Sequence, residues 1–187
     1  MHMTKPIMLF TISSLLFLGW VCGGETPISP EDETDLLFAS FFESNATPDM
    51  KGWSYSDSSA RDFITASKDV PTTGNFYSVK LQSDTVNHFA PGILATIVNP
   101  HPYPKKQYVL SFYSKGKGEV LVDFRSTAGI QSMLIHINNT SWQSDSQTPL
   151  FNCSNSSDTL VVRFRPLSND PISYLFLDNV SVEARKP

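Results

Sequence analysis

The stretch that decides the fold is "QYVLSFYSKGKGEVLVDFR", residues 107–125. Tyr108, Leu110 and Phe112 recur at every second position, and so do Val120, Val122 and Phe124. A period of two marks a strand with one buried face. Between the two apolar sets lies "KGKG", residues 115–118, whose glycines and lysines read as a turn. The stretch therefore predicts a β-hairpin whose two strands lie side by side and share one inward face. Val109, Ser111, Tyr113, Asp123 and Arg125 are left pointing outward.

The same alternation continues along the chain. "SMLIHIN" (132–138) groups Met133, Ile135 and Ile137 and leaves His136 outward, while "DTLVVRFR" (158–165) groups Leu160, Val162 and Phe164. "FYSVKLQ" alternates too, no segment shows a sustained period of 3.6, and the 13 prolines are scattered through the loops. About eight or nine short antiparallel strands with turn signals between them predict an all-β jelly-roll β-sandwich over residues 36–185.

Residues 1–24, "MHMTKPIMLFTISSLLFLGWVCGG", carry one charge, Lys5, and then an apolar run ending in small residues. That layout predicts a signal peptide over residues 1–23, cut after Gly23. The run is short for a bilayer span of about 20 residues and has no basic stop-transfer cluster, which favours a cleaved signal over a signal anchor. "ETPISPEDETD" is acidic and aperiodic, so residues 24–35 are expected to form a flexible leader. The remainder is long enough for one domain with its own core. A net charge of −4 argues against nucleic acid and anionic membrane surfaces as partners. The expected compartment is extracellular.

Of the two cysteines, Cys22 leaves with the signal peptide, and Cys153 then has no partner within the chain. It is either a half-buried thiol or half of an intermolecular bridge. Asn45, Asn138, Asn139, Asn152, Asn155 and Asn179 head N-x-[ST] sequons. Downstream of a signal peptide they predict a glycoprotein. Pro48 weakens the first, and Asn138 and Asn139 are adjacent, so filling one disfavours the other.

Catalytic signatures are missing. The chain contains no HExxH, GxSxG, P-loop or dinucleotide fingerprint, and His2, His88, His101 and His136 show no ligand spacing. Glu119 and Asp123 share parity, but a turn residue beside a strand residue is a poor glycosidase pair. A non-enzyme is expected.

An ordered series of motifs then carries a resemblance: "LLFASFFES" at 36–44, Gly52–Trp53, "GNFYSVKLQS" at 74–83, "YVLSFYSKGKG" at 108–118, "SWQ" at 141–143, "TLVVRFRP" at 159–166 and a closing "YLFLDNVSVEA" at 174–184. The series resembles the carbohydrate-binding modules of families four, nine and twenty-two, which have a galactose-binding-like jelly-roll fold. Those modules open on an Asn-Gly-Phe-Glu-like strand and close on an Asp-Asp-Val-Ser-like one. Asn179 here departs from the second aspartate. The resemblance implies a structural Ca2+ joining the first strand to the last, with Glu43 and Asp178 as its carboxylates, although two ordinary solvated carboxylates would satisfy the sequence equally. It also places Trp53 and Trp142 at positions of structural tryptophans, so both are expected in the core.

The expected function is recognition of an extracellular glycan on the outward face carrying Tyr113, Asp123, Arg125 and His136. The alternative is a structural or adhesive protein of an extracellular matrix, coat or mineral layer. An exposed aromatic beside polar groups favours the first, and a face filled by short apolar side chains favours the second.

Overall fold

The computed structural model describes residues 34–72, 75–83, 90–98, 106–147, 150–151, 158–167 and 173–185. The segment expected to be a signal peptide, most of the expected acidic leader, Cys153, Asn152 and Asn155 lie outside the described residues. Twelve strands are described: β1 (Thr34–Ser40), β2 (Glu43–Ser44), β3 (Thr47–Pro48), β4 (Ser54–Tyr55), β5 (Ile64–Ser67), β6 (Ser78–Gln82), β7 (Ile93–Val98), β8 (Lys106–Ser126), β9 (Gly129–Gln147), β10 (Leu150–Phe151), β11 (Thr159–Pro166) and β12 (Tyr174–Arg185). Four of them are two residues long. A 3-10 helix, Ser58–Phe63, is capped by the Asp57 carboxylate. β1 begins at Thr34, so the strand takes in the last two residues of the 24–35 segment. No described helix is long and apolar enough to cross a membrane.

The architecture is an all-β jelly roll, an antiparallel sheet curled around one core, in the order β4-β7-β11-β8-β12-β6-β5. β1 adds to β12, and β9 and β10 add to β8. The predicted hairpin is not formed. Residues 106–126 are one strand of 21 residues, with β12 along its first half, Gln107 to Gly116, and β11 along its second, Gly118 to Arg125. At its ordinary rise a straight strand would hold Tyr108 and Phe124 about 50 Å apart, yet their rings stack at 6.3 Å. β8 therefore bends sharply at residues 116–118 and lays its two halves face to face across the core. Corners of this kind let one strand pass from one layer of a sandwich to the other.

Two glycines make the corner possible. Gly116 has φ +105°, and a Cβ there would lie 2.1 Å from the Tyr174 carbonyl oxygen. A Cβ on Gly118 would lie 2.6 Å from the Arg165 carbonyl oxygen and 2.7 Å from Leu175 Cδ2. "KGKG" is thus a place where the start of β12 and the end of β11 cross close to β8. The glycine signal was real, but its cause is close backbone approach and not a reverse turn.

The layer built on the first half of β8 holds β12, β6, β5, β1 and the later part of β9. The layer built on the second half holds β11, β7, β4 and the earlier part of β9. Between them lie Tyr108, Leu110, Phe112, Val120, Val122 and Phe124, with Leu81, Ile93, Leu160, Val162, Phe164, Leu175 and Leu177. Trp53 packs against this core as expected, edge-on to Phe38 at 5.1 Å, stacked on Phe42 at 5.4 Å and edge-on to Phe164 at 5.8 Å.

The Asp-Asn pair in the closing strand also finds its reason. Pairing of β12 with β8 slips between Asp178 and Ser181, and Asn179 has φ +48°. This is a β-bulge, and asparagine tolerates the left-handed backbone that the extra residue needs. The bulge changes the inward parity of the strand, from Leu175 and Leu177 before it to Val180, Val182 and Ala184 after it.

Candidate functional site

By the alternation that points Leu175 and Leu177 inward, Asp178 points away from the core, yet the residue is fully buried. Its Oδ1 accepts from Asn75 Nδ2 at 3.0 Å and from the Asn179 backbone N–H at 2.8 Å. Among the described residues, its Oδ2 is buried with no hydrogen-bond partner. Burial, with the neighbouring Glu43 charge, pushes this carboxyl up to about 6, against the two hydrogen bonds. Glu43 Oε2 accepts from the backbone N–H groups of Phe76 and Tyr77 at 2.6 and 2.9 Å. Asn75 also donates to Asn179 Oδ1. Glu43 lies close enough for its charge to act on Asp178. The orphaned Oδ2 fits a cation ligand. Among the described residues no group of three or more His, Cys, Asp or Glu side chains is placed to hold a metal. Backbone carbonyls or water would have to complete a calcium shell, as they commonly do.

Tyr113, Asp123, Arg125 and His136 do not share a face. All four point outward, as parity requires. However, Tyr113 lies in the first half of β8, opposite Asp178 and Ser144, whereas Asp123 and Arg125 lie in the second half, beyond the corner. Since the two halves face each other across the core, their outward sides look in opposite directions. A side-by-side hairpin would have put them together; the bent strand separates them. Asp123 accepts from Ser132 Oγ at 2.7 Å, and Arg125 Nη2 stands 3.6 Å from Asp123 Oδ2. His136 is exposed opposite Glu119, whose Oε1 accepts from Arg165 Nε at 2.9 Å. The outward side here also carries Leu94, Arg163, Leu121 and Leu134 in one cross-strand row.

The outward side of the other layer is different. Phe176 lies between Lys80 of β6 and Lys115 of β8. The Trp142 ring packs 6.2 Å from it and the Tyr174 ring meets it edge-on at 5.2 Å. The Lys115 ammonium lies 5.6 Å from the Phe176 ring centre, and that of Lys80 lies 5.8 Å from Tyr174 and 5.9 Å from Phe176. Asp69 closes the group, accepting from Lys115 Nζ at 2.6 Å and from Trp142 Nε1 at 2.9 Å. Burial works against the Asp69 charge, but the ammonium and the indole N–H outweigh it and hold its carboxyl below the usual range. Trp142 is therefore not the core residue the resemblance implied. The register of β9 against β8 shifts opposite residues 114–116, and this irregularity brings the indole onto the outer surface.

Beside this aromatic group opens a cleft of about 350 Å³, lined by Gly116, Lys117, Asn138, Asn139, Thr140, Ser173 and Tyr174. It lies at the corner of β8. Tyr174 is 38% exposed and forms one wall. An accessible tyrosine ring, side-chain amides, a hydroxyl and an ammonium around one recess form the kind of set that recognises a polar ligand with an apolar face. Sequence reasoning passed over it because the closing segment was read only as a motif, with no face assigned to Tyr174 or Phe176. Their alternation with Leu175 and Leu177 was the available signal.

Among the described sequon residues, Asn45 is exposed on the β2–β3 turn and Asn138 is exposed on β9. Asn139 and Asn179 are half-buried.

No family model matches the sequence, and no curated protein matches it. Solved structures do. A xylan-binding domain of carbohydrate-binding module family 22 aligns at 13% identity and a TM-score of 0.53, over 79% of this chain and 93% of that one. A xylan-binding domain from Paenibacillus barcinonensis Xyn10C aligns at 14% identity and 0.51, over 82% of this chain and 96% of that one. The chain has the jelly-roll fold of carbohydrate-binding modules. The fold is shared more widely: the enzymatically active domain of bacteriophage CBA120 tailspike protein 4 aligns at 18% identity and 0.52, over 72% of this chain but only 19% of that longer one. At such identities the likeness carries the fold and no family number.

Proposed function

We propose that the protein is a secreted, non-catalytic glycoprotein that binds extracellular glycans, with a sugar ring resting on Tyr174 at the corner cleft. The observation that carries this reading is the exposed Tyr174 ring, backed by Phe176 and Trp142 and set beside the amides of the cleft. It is the aromatic-beside-polar arrangement that favours a glycan site over a purely structural surface. The xylan-binding domains that share the fold support it. The test is a glycan array on the secreted domain, followed by calorimetry on the best ligand. Tyr174→Ala should weaken binding about tenfold, the worth of one aromatic contact of about 1–2 kcal/mol. Its melting temperature should stay close to that of wild type, since the ring is partly exposed. Failure of every glycan to bind would favour the structural or adhesive alternative. Wild-type affinity in Tyr174→Ala would move the site elsewhere.

The proposal includes a structural calcium held by Asp178 Oδ2 and Glu43, tying β2 to β12. The pH dependence follows from the raised Asp178 carboxyl. Between about pH 4 and 6 the folded protein keeps a proton that the unfolded chain has released, so this group favours folding at the acid end of the window and loses that effect as pH rises through 6. In chelator, the melting temperature of wild type relative to Asp178→Asn should therefore fall between pH 4 and 7. At pH 7, calcium should raise the melting temperature of wild type by linkage and leave Asp178→Asn unmoved. Identical wild-type melting curves in millimolar calcium and in chelator would remove the ion.

A further inference from the structure

We infer that Asn138, and not its neighbour Asn139, carries an N-linked glycan, and that this glycan stands at the mouth of the Tyr174 cleft. The inference rests on the reading of the chain as a secreted glycoprotein, but not on the cleft having a ligand. Two sequons overlap here, Asn138-Asn139-Thr140 and Asn139-Thr140-Ser141. In a strand, neighbouring side chains point to opposite faces, so the fold treats the two asparagines differently. Asn139 pairs with Gly116, and its Nδ2 donates to Ser114 Oγ at 2.7 Å and stands 3.3 Å from Asp145 Oδ2. The Ser114 hydroxyl is itself fully buried and donates to Asp145 Oδ2 at 2.6 Å. A glycan replaces one hydrogen of that same Nδ2 and would place a sugar where the Ser114–Asp145 pair sits. Attachment precedes folding, so chains modified at Asn139 could not close this network.

Asn138 pairs with Lys117, is exposed, and lines the same cleft as Tyr174, to which Asn139 contributes only as a half-buried residue. A glycan there leaves every described hydrogen bond intact. It also projects from the rim of the recess, so it shields the tyrosine ring and controls what reaches it.

The test uses the full chain secreted from a glycosylating eukaryotic host. Thr140→Ala removes only the Asn138 sequon, and Ser141→Ala removes only that of Asn139 while leaving its amide in place. Glycopeptide mapping should find the glycan at Asn138 in wild type and in Ser141→Ala, and none on either asparagine in Thr140→Ala. Asn138→Gln gives a second reading of the shield: nitration of Tyr174 by tetranitromethane should run roughly threefold faster than in wild type once the bulky chain is gone. A glycan on Asn139, no glycan on either residue, or equal nitration of Tyr174 in the two proteins would each overturn the inference. None of these readings needs a bound ligand. A silent glycan array would therefore remove the binding function while leaving the attachment site standing or falling on its own.

Discussion

Alanine at position 116 should cost the domain about 3–5 kcal/mol, near the upper end for a single added methyl group. Two effects combine. The backbone at Gly116 is left-handed, with φ +105°, which penalises an L side chain by about 1–2 kcal/mol. The new Cβ would also lie 2.1 Å from the Tyr174 carbonyl oxygen, and a backbone atom cannot rotate out of the way as a side chain can. Either β12 lifts from the corner or β8 straightens. Gly129 is the control: it has φ +129°, and nothing lies within 4 Å of a built Cβ. Gly129→Ala should therefore cost only the backbone penalty, about 1–2 kcal/mol. Urea denaturation of the two variants separates the contributions. Equal losses would mean that the crossing of β12 over β8 is looser than described.

Removal of the Trp53 ring should cost about 3–5 kcal/mol, as truncation of a large aromatic does. The indole is wedged among Phe38, Phe42 and Phe164 and joins β1 and the segment after it to β11. Its Nε1 is buried without a partner among the described residues, so the ring contributes there through packing alone. Trp53→Phe keeps much of the packing and removes a polar atom that makes no bond. It should cost less than half as much as Trp53→Ala in the same urea titration. A Trp53→Phe loss as large as that of Trp53→Ala would indicate a hydrogen bond from the indole.

The sequence made the inward side of this protein legible and the outward side only half so. Tyr108 to Phe124, Met133 to Ile137 and Leu160 to Phe164 were assigned to the core or its edge by parity alone, because burial of one strand face leaves a period of two. Parity cannot tell a turn from a corner. Gly116 and Gly118 suit both, and only the positions of Tyr174 and Arg165, far along the chain, decide between them. That one ambiguity misplaced the candidate face, since Tyr113 and Asp123 share parity but look out of opposite layers. Asp178 and Glu43 were singled out by the motif at each end of the domain, and Asp178 lies buried beside the bulge at Asn179, on the outward parity of an otherwise apolar strand. Tyr174, Phe176 and Trp142 were hidden for a different reason. An outward aromatic packed on a lysine has the composition of a core residue, and its exposure depends on neighbours supplied by β6 and β9.

The bent strand has a mechanical consequence. β8 belongs to both layers, so neither layer can slide or peel away without dragging the same backbone with it. Tension on one layer is handed round the bend to the other through a continuous peptide chain and not through side-chain friction alone. The recess beside Tyr174 sits at that bend, where the elbow of β8 passes beneath the first residue of β12. Anything gripped there holds the hinge of the whole shell. A load applied at this recess would then be borne by covalent backbone common to both layers.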